Sequence, residues 1–293
     1  MITRSSAFTH RPLATVSLLL QLMRFERPLC SALLALLGAH LGASPSRLAS
    51  APVWAAACVV ALVTGFGFVI NDCCDVTVDA LGKPDRPLPS GRISPGAAAA
   101  FAWVLACCAV LLAAMLGRDA TLFAAGAVAL SAAYSYRLKS TLLLGNAAVG
   151  LLVAAVIVFA AVVAGGGVTG AVIAAAAMAW SYITAQEVLF NLEDEAEDRT
   201  AGLRTTATQL GVARTAVLLR VLLVTFVVVA LLPCVRPTTS PFYAGALAVC
   251  TLLPVAALLW LLRSPLSRAA IARAARWSRL VWLTSFVPLA LLK

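Results

Sequence analysis

The sequence predicts an all-α integral membrane protein with nine transmembrane helices, and three observations carry that prediction. Of 293 residues, 62% are hydrophobic and only 12% are charged, against roughly a quarter charged in an average soluble domain. The mean hydropathy is +0.98, and apolar runs recur along the whole chain at about the 20 residues that one helical crossing of a bilayer requires. Basic residues, finally, alternate between successive connections in a way that an odd number of crossings satisfies. A soluble globular domain, a disordered chain and a disulfide scaffold are all excluded. The formal charge of +10 reflects membrane orientation rather than a nucleic-acid partner.

Taken in order, residues 1–26 form an N-terminal cytoplasmic or interfacial segment. Arg4 and Arg11 precede the apolar stretch Leu13 to Met23, but Arg24, Glu26, Arg27 and Pro28 follow where a signal peptide would place small residues. The stretch is therefore expected to be retained. Apolar spans are then predicted at 28–44, 51–70, 96–116, 120–136, 142–163, 170–190, 211–233, 241–262 and 277–292. The third to sixth are rich in alanine, which suits close helix contact in lipid. Gly165 to Gly167 and Pro237 to Pro241 mark turns, and Trp54, Trp260 and Trp277 fall near span ends as interfacial anchors. The spans leave no room for a separate soluble domain, so residues 1–293 read as one polytopic domain.

Eighteen Lys and Arg residues fall on one side of this arrangement. Four fall on the other: Arg47, Arg118, Arg236 and Lys293. The predicted topology is a multi-pass cell-membrane protein with its N-terminus in the cytoplasm and its C-terminus outside. Eleven of the twelve acids, all but Asp119, gather on the same cytoplasmic side. The eight cysteines lie mostly in apolar runs and form no C-x-x-C pair, so they are expected to be apolar filler. Arg268 to Arg279 reads as a headgroup-binding interfacial stretch.

Two acid clusters share one spacing. The second span closes on Asn71-Asp72-Cys73-Cys74-Asp75-Val76-Thr77-Val78-Asp79, with Asp72, Asp75 and Asp79 at i, i+3 and i+7. The sixth closes on Asn191-Leu192-Glu193-Asp194-Glu195-Ala196-Glu197-Asp198, where Asn191, Asp194 and Asp198 repeat that spacing. On a helix each set shares a face, and the repeat suggests two pseudo-repeated halves. Such acids repel one another, oppose the dipole at a helix C-terminus and are expensive beside hydrocarbon. A compensating cation is needed, and clustered carboxylate and amide oxygens suit Mg²⁺ held jointly with substrate phosphates. Two facing clusters read as two Mg²⁺ sites flanking a diphosphate. Lys83, Arg86, Arg92, Lys139 and Arg204 on the same side supply donors for that leaving group. The plain alternative is a pair of solvated helix caps paired with Arg199 and Arg204. An ion-coupled transporter is a third reading, though its acids belong at mid-span.

At these residues the sequence resembles the UbiA superfamily of intramembrane prenyltransferases. The first cluster is similar to that family's N-D-x-x-D-x-x-x-D motif, and the loop from Lys83 to Ser94 is also family-like. Asp194 and Asp198 match the D-x-x-x-D form of the second motif, followed by Arg199 and Gly202-x-Arg204-Thr205. Tyr134-Ser135-x-x-Leu138-Lys139 and Gly145-Asn146 match a third element. The resemblance implies a helical bundle around a central cavity open to lipid, and Mg²⁺-dependent transfer of an isoprenyl group from its diphosphate to a nucleophilic acceptor. It makes Asp72, Asp75, Asp194 and Asp198 the principal metal ligands, with Asn71, Asp79 and Asn191 in support. It places Arg27, Lys83, Arg86, Arg92, Tyr134, Lys139, Asn146 and Arg204 around the substrate.

Three positions depart from the family pattern. Asn191 stands where many relatives have Asp, Gln186 where some lipid-synthesising relatives have Arg, and Cys30 where many have Asn. These count against an archaeal-type glycerol phosphate as acceptor, and the expected acceptor is a small aromatic or other lipophilic molecule. A terpene cyclase on the same scaffold would use the same leaving-group machinery, with the substrate's own double bonds capturing the cation.

Overall fold

The computed structural model describes residues 12–235, 240–263 and 266–292. Arg4, Arg11, Arg236 and Lys293, which enter the charge argument, lie outside the described residues, as does most of the Pro237 to Pro241 turn. Every regular element among the described residues is helical.

The chain opens with α1 (Pro12–Leu22), then α2 (Glu26–Gly42), α3 (Ala51–Cys74) and the short α4 (Val76–Gly82). Next come α5 (Pro95–Ala114), α6 (Arg118–Tyr136), α7 (Leu144–Val163), α8 (Gly170–Glu193) and the short α9 (Glu195–Thr200). The last third holds α10 (Thr206–Leu231), α11 (Pro241–Leu247), α12 (Leu253–Leu261), α13 (Arg268–Thr284) and α14 (Phe286–Ala290). Local chemistry sets many of the starts. Pro52, Pro95 and Pro241 occupy first-turn positions, where a missing N–H costs nothing. Ser94, Thr169 and Ser267 accept backbone N–H groups as N-caps. Gly211, at φ +77°, kinks α10.

Helices occur at each of the nine predicted positions, but six segments are long and apolar enough to cross a membrane. These are α3, α5, α7, α8, Thr206–Val235 and Pro241–Leu261, the last running through α11, a π turn at Ala248–Leu252 and α12. Of the other three positions, α2 has 17 residues. The α6 helix carries Arg118, Asp119 and polar Ser131, Tyr134 and Ser135. The α13 helix has four arginines in 17 residues and stops at Ser285 before α14. Short length and charge thus separate these helices from the six.

The elements are held by small-residue contacts and by internally satisfied polar groups. A Cβ on Gly38 would lie 2.5 Å from the Ile157 carbonyl oxygen, and one on Gly150 the same distance from Thr184 Oγ1. Thus α7 packs tightly on both α2 and α8, as helices in lipid require. Arg220 in the middle of α10 donates to the Leu262 carbonyl at 2.6 Å, capping the end of α12. Tyr182 Oη donates to the Ser278 carbonyl at 2.6 Å and ties α8 to α13. All eight cysteines are free.

Candidate active site

Both acid clusters sit where a 24-residue helix breaks. The α3 helix stops at Cys74, Asp75 adopts φ −101° and ψ 7°, and α4 begins. The α8 helix stops at Glu193, Asp194 adopts φ −89° and ψ 7°, and α9 begins. This corrects the expectation of three acids stacked on one continuous helix face. Asp79 and Asp198 instead lie in the first turns of α4 and α9. There the helix dipole favours an anion, so the break relieves a penalty that a straight helix would incur. The two caps touch, for α4 packs against α9, and Lys83 Nζ reaches Asp194 Oδ2 across them at 3.4 Å.

Each carboxylate of the first cluster is paired with a cation. Arg24 Nη2 lies 2.5 Å from Asp72 Oδ1. Arg86 Nη1 is 2.6 Å from Asp79 Oδ2 and 3.5 Å from Asp72 Oδ1. Lys139 forms an ion pair with Asp75 Oδ1, without a hydrogen bond of ordinary geometry there. Asn71 Nδ2 donates to Asp75 Oδ2 at 2.8 Å. Asp72, Asp79 and Asp198 are buried. Burial pushes the Asp198 carboxyl up to about 6, against a lowering hydrogen bond from Thr205. Burial likewise lowers the Lys139 ammonium and the Arg24 guanidinium below their ordinary ranges, against the pull of neighbouring acids.

A second polar chain fixes Asn191. Thr206 Oγ1 donates to Asn146 Oδ1 at 2.7 Å, and Asn146 Nδ2 donates to Asn191 Oδ1 at 2.8 Å. Thr206 Oγ1 also accepts from the Leu143 N–H at 2.9 Å. Leu143 has a left-handed backbone, φ 58°, so this contact holds a strained turn. The chain runs from the start of α10 through α7 to the last turn of α8.

Not every predicted residue joins this assembly. Arg92 donates to Gln21 Oε1, the Asp85 carbonyl and Ser90 Oγ, and so pins its own loop to α1. Arg204 is exposed and forms no ion pair among the described residues. Arg27 is 3.8 Å from Glu26 and within electrostatic range of Glu187 on α8. Tyr134 is within electrostatic range of Glu187 and Asp198. Arg199 pairs with Glu195 one turn away on α9 and not with the cluster aspartates. Sequence reasoning missed Arg24, which reads there only as a topology charge; its position just before Arg27-Pro28, at the turn between two helices, was the available signal. Gln186, which entered the acceptor argument, is buried and donates to Ser278 Oγ on α13 at 3.1 Å.

Among the described residues, no three His, Cys, Asp or Glu side chains converge as a metal-ligand group. The donors are nonetheless all oxygens, and the buried Asn71 Oδ1 has no hydrogen-bond partner. An unpaired buried amide oxygen on the side chain that contacts Asp75 is the kind of donor a hard divalent cation takes. The residues therefore fit such an ion.

Comparison with known proteins decides the family. The UbiA prenyltransferase family profile matches residues 29–281. The chain belongs to the UbiA prenyltransferase family. It is 36% identical over 164 residues to the digeranylgeranylglyceryl phosphate synthase of Methanoregula boonei, a match covering 55% of this chain and 57% of that protein. It is 28% identical to the enzyme of the same name from Sulfurisphaera tokodaii over 73% of this chain and 77% of that one. The first of these matches thus spans little more than half of the curated relative. In fold, the chain superposes on a UbiA homolog from Archaeoglobus fulgidus bound to GPP and Mg²⁺ with a TM-score of 0.69 and 19% identity, covering 93% of this chain and 99% of that one.

Proposed function

We propose that this UbiA-family protein is a multi-pass membrane prenyltransferase. It transfers an isoprenyl group from a prenyl diphosphate to a nucleophilic acceptor and releases diphosphate. The observation that carries the reading is the pair of acid clusters, at two matched helix breaks, bridged by Lys83 and Asp194. A fold relative binds GPP and Mg²⁺, and Mg²⁺, when bound, would neutralise charge building on the departing diphosphate. Asp72, Asp75, Asp194 and Asp198 would hold it, supported by Asn71, Asp79 and Asn191, and we assign two ions, one to each cluster.

The remaining steps belong to the chain. Lys139, Arg86 and Lys83 exchange their carboxylate partners for diphosphate oxygens. The allylic C–O bond breaks with its electron pair leaving on diphosphate. An acceptor lone pair forms the new bond to carbon, and the released diphosphate can take the acceptor's proton. The polyprenyl tail lies among the alanine-, leucine- and valine-rich helices, which exclude water from the cation.

For the acceptor, the names of the relatives favour a glyceryl phosphate. The aromatic acceptor expected from the sequence rested partly on Gln186. That side chain is turned into the α8–α13 contact and carries no information about the acceptor.

The experiment supplies Mg²⁺ and prenyl diphosphates of several lengths to membranes containing the protein. Incubations run without acceptor, with a prenylated glyceryl phosphate, or with an aromatic acceptor. Product forming with the glyceryl phosphate, abolished by EDTA and by Asp72→Ala or Asp194→Ala, is the expected result. Prenylation only of the aromatic acceptor would replace the acceptor assignment. A cyclic product without acceptor would make the protein a cyclase, and full activity in either variant would remove the two-cluster mechanism.

A further inference from the structure

Every acid of the chain lies at or before Asp198, so residues 199–293 carry ten arginines and one lysine with no carboxylate to pair them. Several find other partners. Arg199 reaches back to Glu195, Arg220 caps Leu262, and Arg279 lies 3.9 Å from Glu193 and over the Phe190 ring. Arg273 and Arg276 form no ion pair within 4 Å among the described residues and are exposed, although Arg276 is within electrostatic range of Glu193. They stand three residues apart on α13 and therefore share a face.

That face is one wall of a groove of about 520 Å³ between α12 and α13. Its apolar lining is Ala257, Leu261 and Leu280 together with the indoles of Trp260 and Trp277. Trp277 is fixed in place by donating Nε1–H to the Pro254 carbonyl at 2.8 Å, and Arg263 lies over the Trp260 ring at 5.9 Å. The groove is close to the motif end of the bundle, because the next arginine along α13 pairs with Glu193, the last residue of α8.

An apolar groove lined also by two exposed guanidiniums and two indoles matches one kind of molecule. Indoles settle at the headgroup level, guanidinium forks bind phosphate, and an acyl chain fills the trough. The geometry points to a binding site for one anionic phospholipid, its phosphate on Arg273 and Arg276 and a chain along Leu261 and Leu280. Water-soluble phosphate lacks the chain, and a zwitterionic lipid presents a cationic group beside its phosphate to two arginines. The site requires no prenyl transfer and is tested by binding alone.

Detergent-purified, delipidated full-length protein is mixed with equal phosphatidylglycerol and phosphatidylcholine and examined by native mass spectrometry. Phosphatidylglycerol adducts should dominate and should fall roughly thirtyfold in Arg273→Gln/Arg276→Gln, the scale expected for two basic groups at a headgroup. They should persist in Arg118→Gln/Arg268→Gln, which has the same net charge. On the wild-type protein, a photoactivatable phosphatidylglycerol should crosslink within residues 257–280. Equal retention of both lipids, equal losses in the two glutamine variants, displacement by millimolar inorganic phosphate, or crosslinks spread over the other helices would each overturn the assignment.

Discussion

At the level of single residues, the site pairs each carboxylate of the first cluster with an arginine or lysine. Lys139 shows the consequence most sharply, because it neutralises Asp75 and is also proposed to hold the diphosphate. Lys139→Gln should therefore move two affinities in opposite directions. Binding of Mn²⁺ to the ligand-free protein, followed by electron paramagnetic resonance, should tighten several-fold as a competing charge disappears. Affinity for prenyl diphosphate should fall by roughly tenfold or more, the scale of one charge-assisted hydrogen bond. Parallel changes in the two would show that Lys139 does not alternate between partners. Asn146 acts differently, touching no carboxylate but orienting Asn191 through Nδ2. Asn146→Leu removes the acceptor of the Thr206 hydroxyl, which keeps only the Leu143 N–H as a partner, and the donor to Asn191 Oδ1, at about 1–3 kcal/mol per group. A measurable drop in thermal stability and weaker metal binding are expected, and a variant unchanged in both would show that the chain from Thr206 does not set Asn191.

The element scale explains what was legible and what was not. The spacing of Asp72, Asp75 and Asp79, and its repeat at Asn191, Asp194 and Asp198, marks the chemistry in the sequence alone. That spacing also suits a straight helix, so periodicity could not reveal the breaks at Asp75 and Asp194. Electrostatics decides there: a new helix start accepts the acid that an old helix end repels. Arg24 was invisible for a related reason, since a basic residue before a span looks the same whether it orients the protein or pairs with Asp72 across 48 positions. Helix packing is the best-specified level, and Gly150 tests it. A Cβ there meets Thr184 Oγ1 at 2.5 Å and the Trp180 carbonyl at 2.8 Å, so Gly150→Val should force α7 from α8. Overpacking of this kind costs about 1–3 kcal/mol, read as a lower melting temperature in detergent; unchanged stability would mean the contact is loose.

Across the whole molecule, two halves with 24-residue helices α3 and α8 bring their broken ends together and form one polar site at the end of an apolar bundle. The hydrophobic composition dictates the bundle, and the family resemblance is confirmed by the profile match over residues 29–281. The number of crossings is less legible, because α2, α6 and α13 are helices whose length and charge differ from those of the six long apolar segments. The central claim is that both acid clusters act together, through a divalent cation, on one diphosphate. Isothermal titration of purified protein with geranyl S-thiolodiphosphate, which resists ionisation, tests this without turnover. Binding should require Mg²⁺ and should be lost in both Asp72→Ala and Asp194→Ala. Binding that persists in EDTA, or that survives removal of either aspartate, would contradict the account.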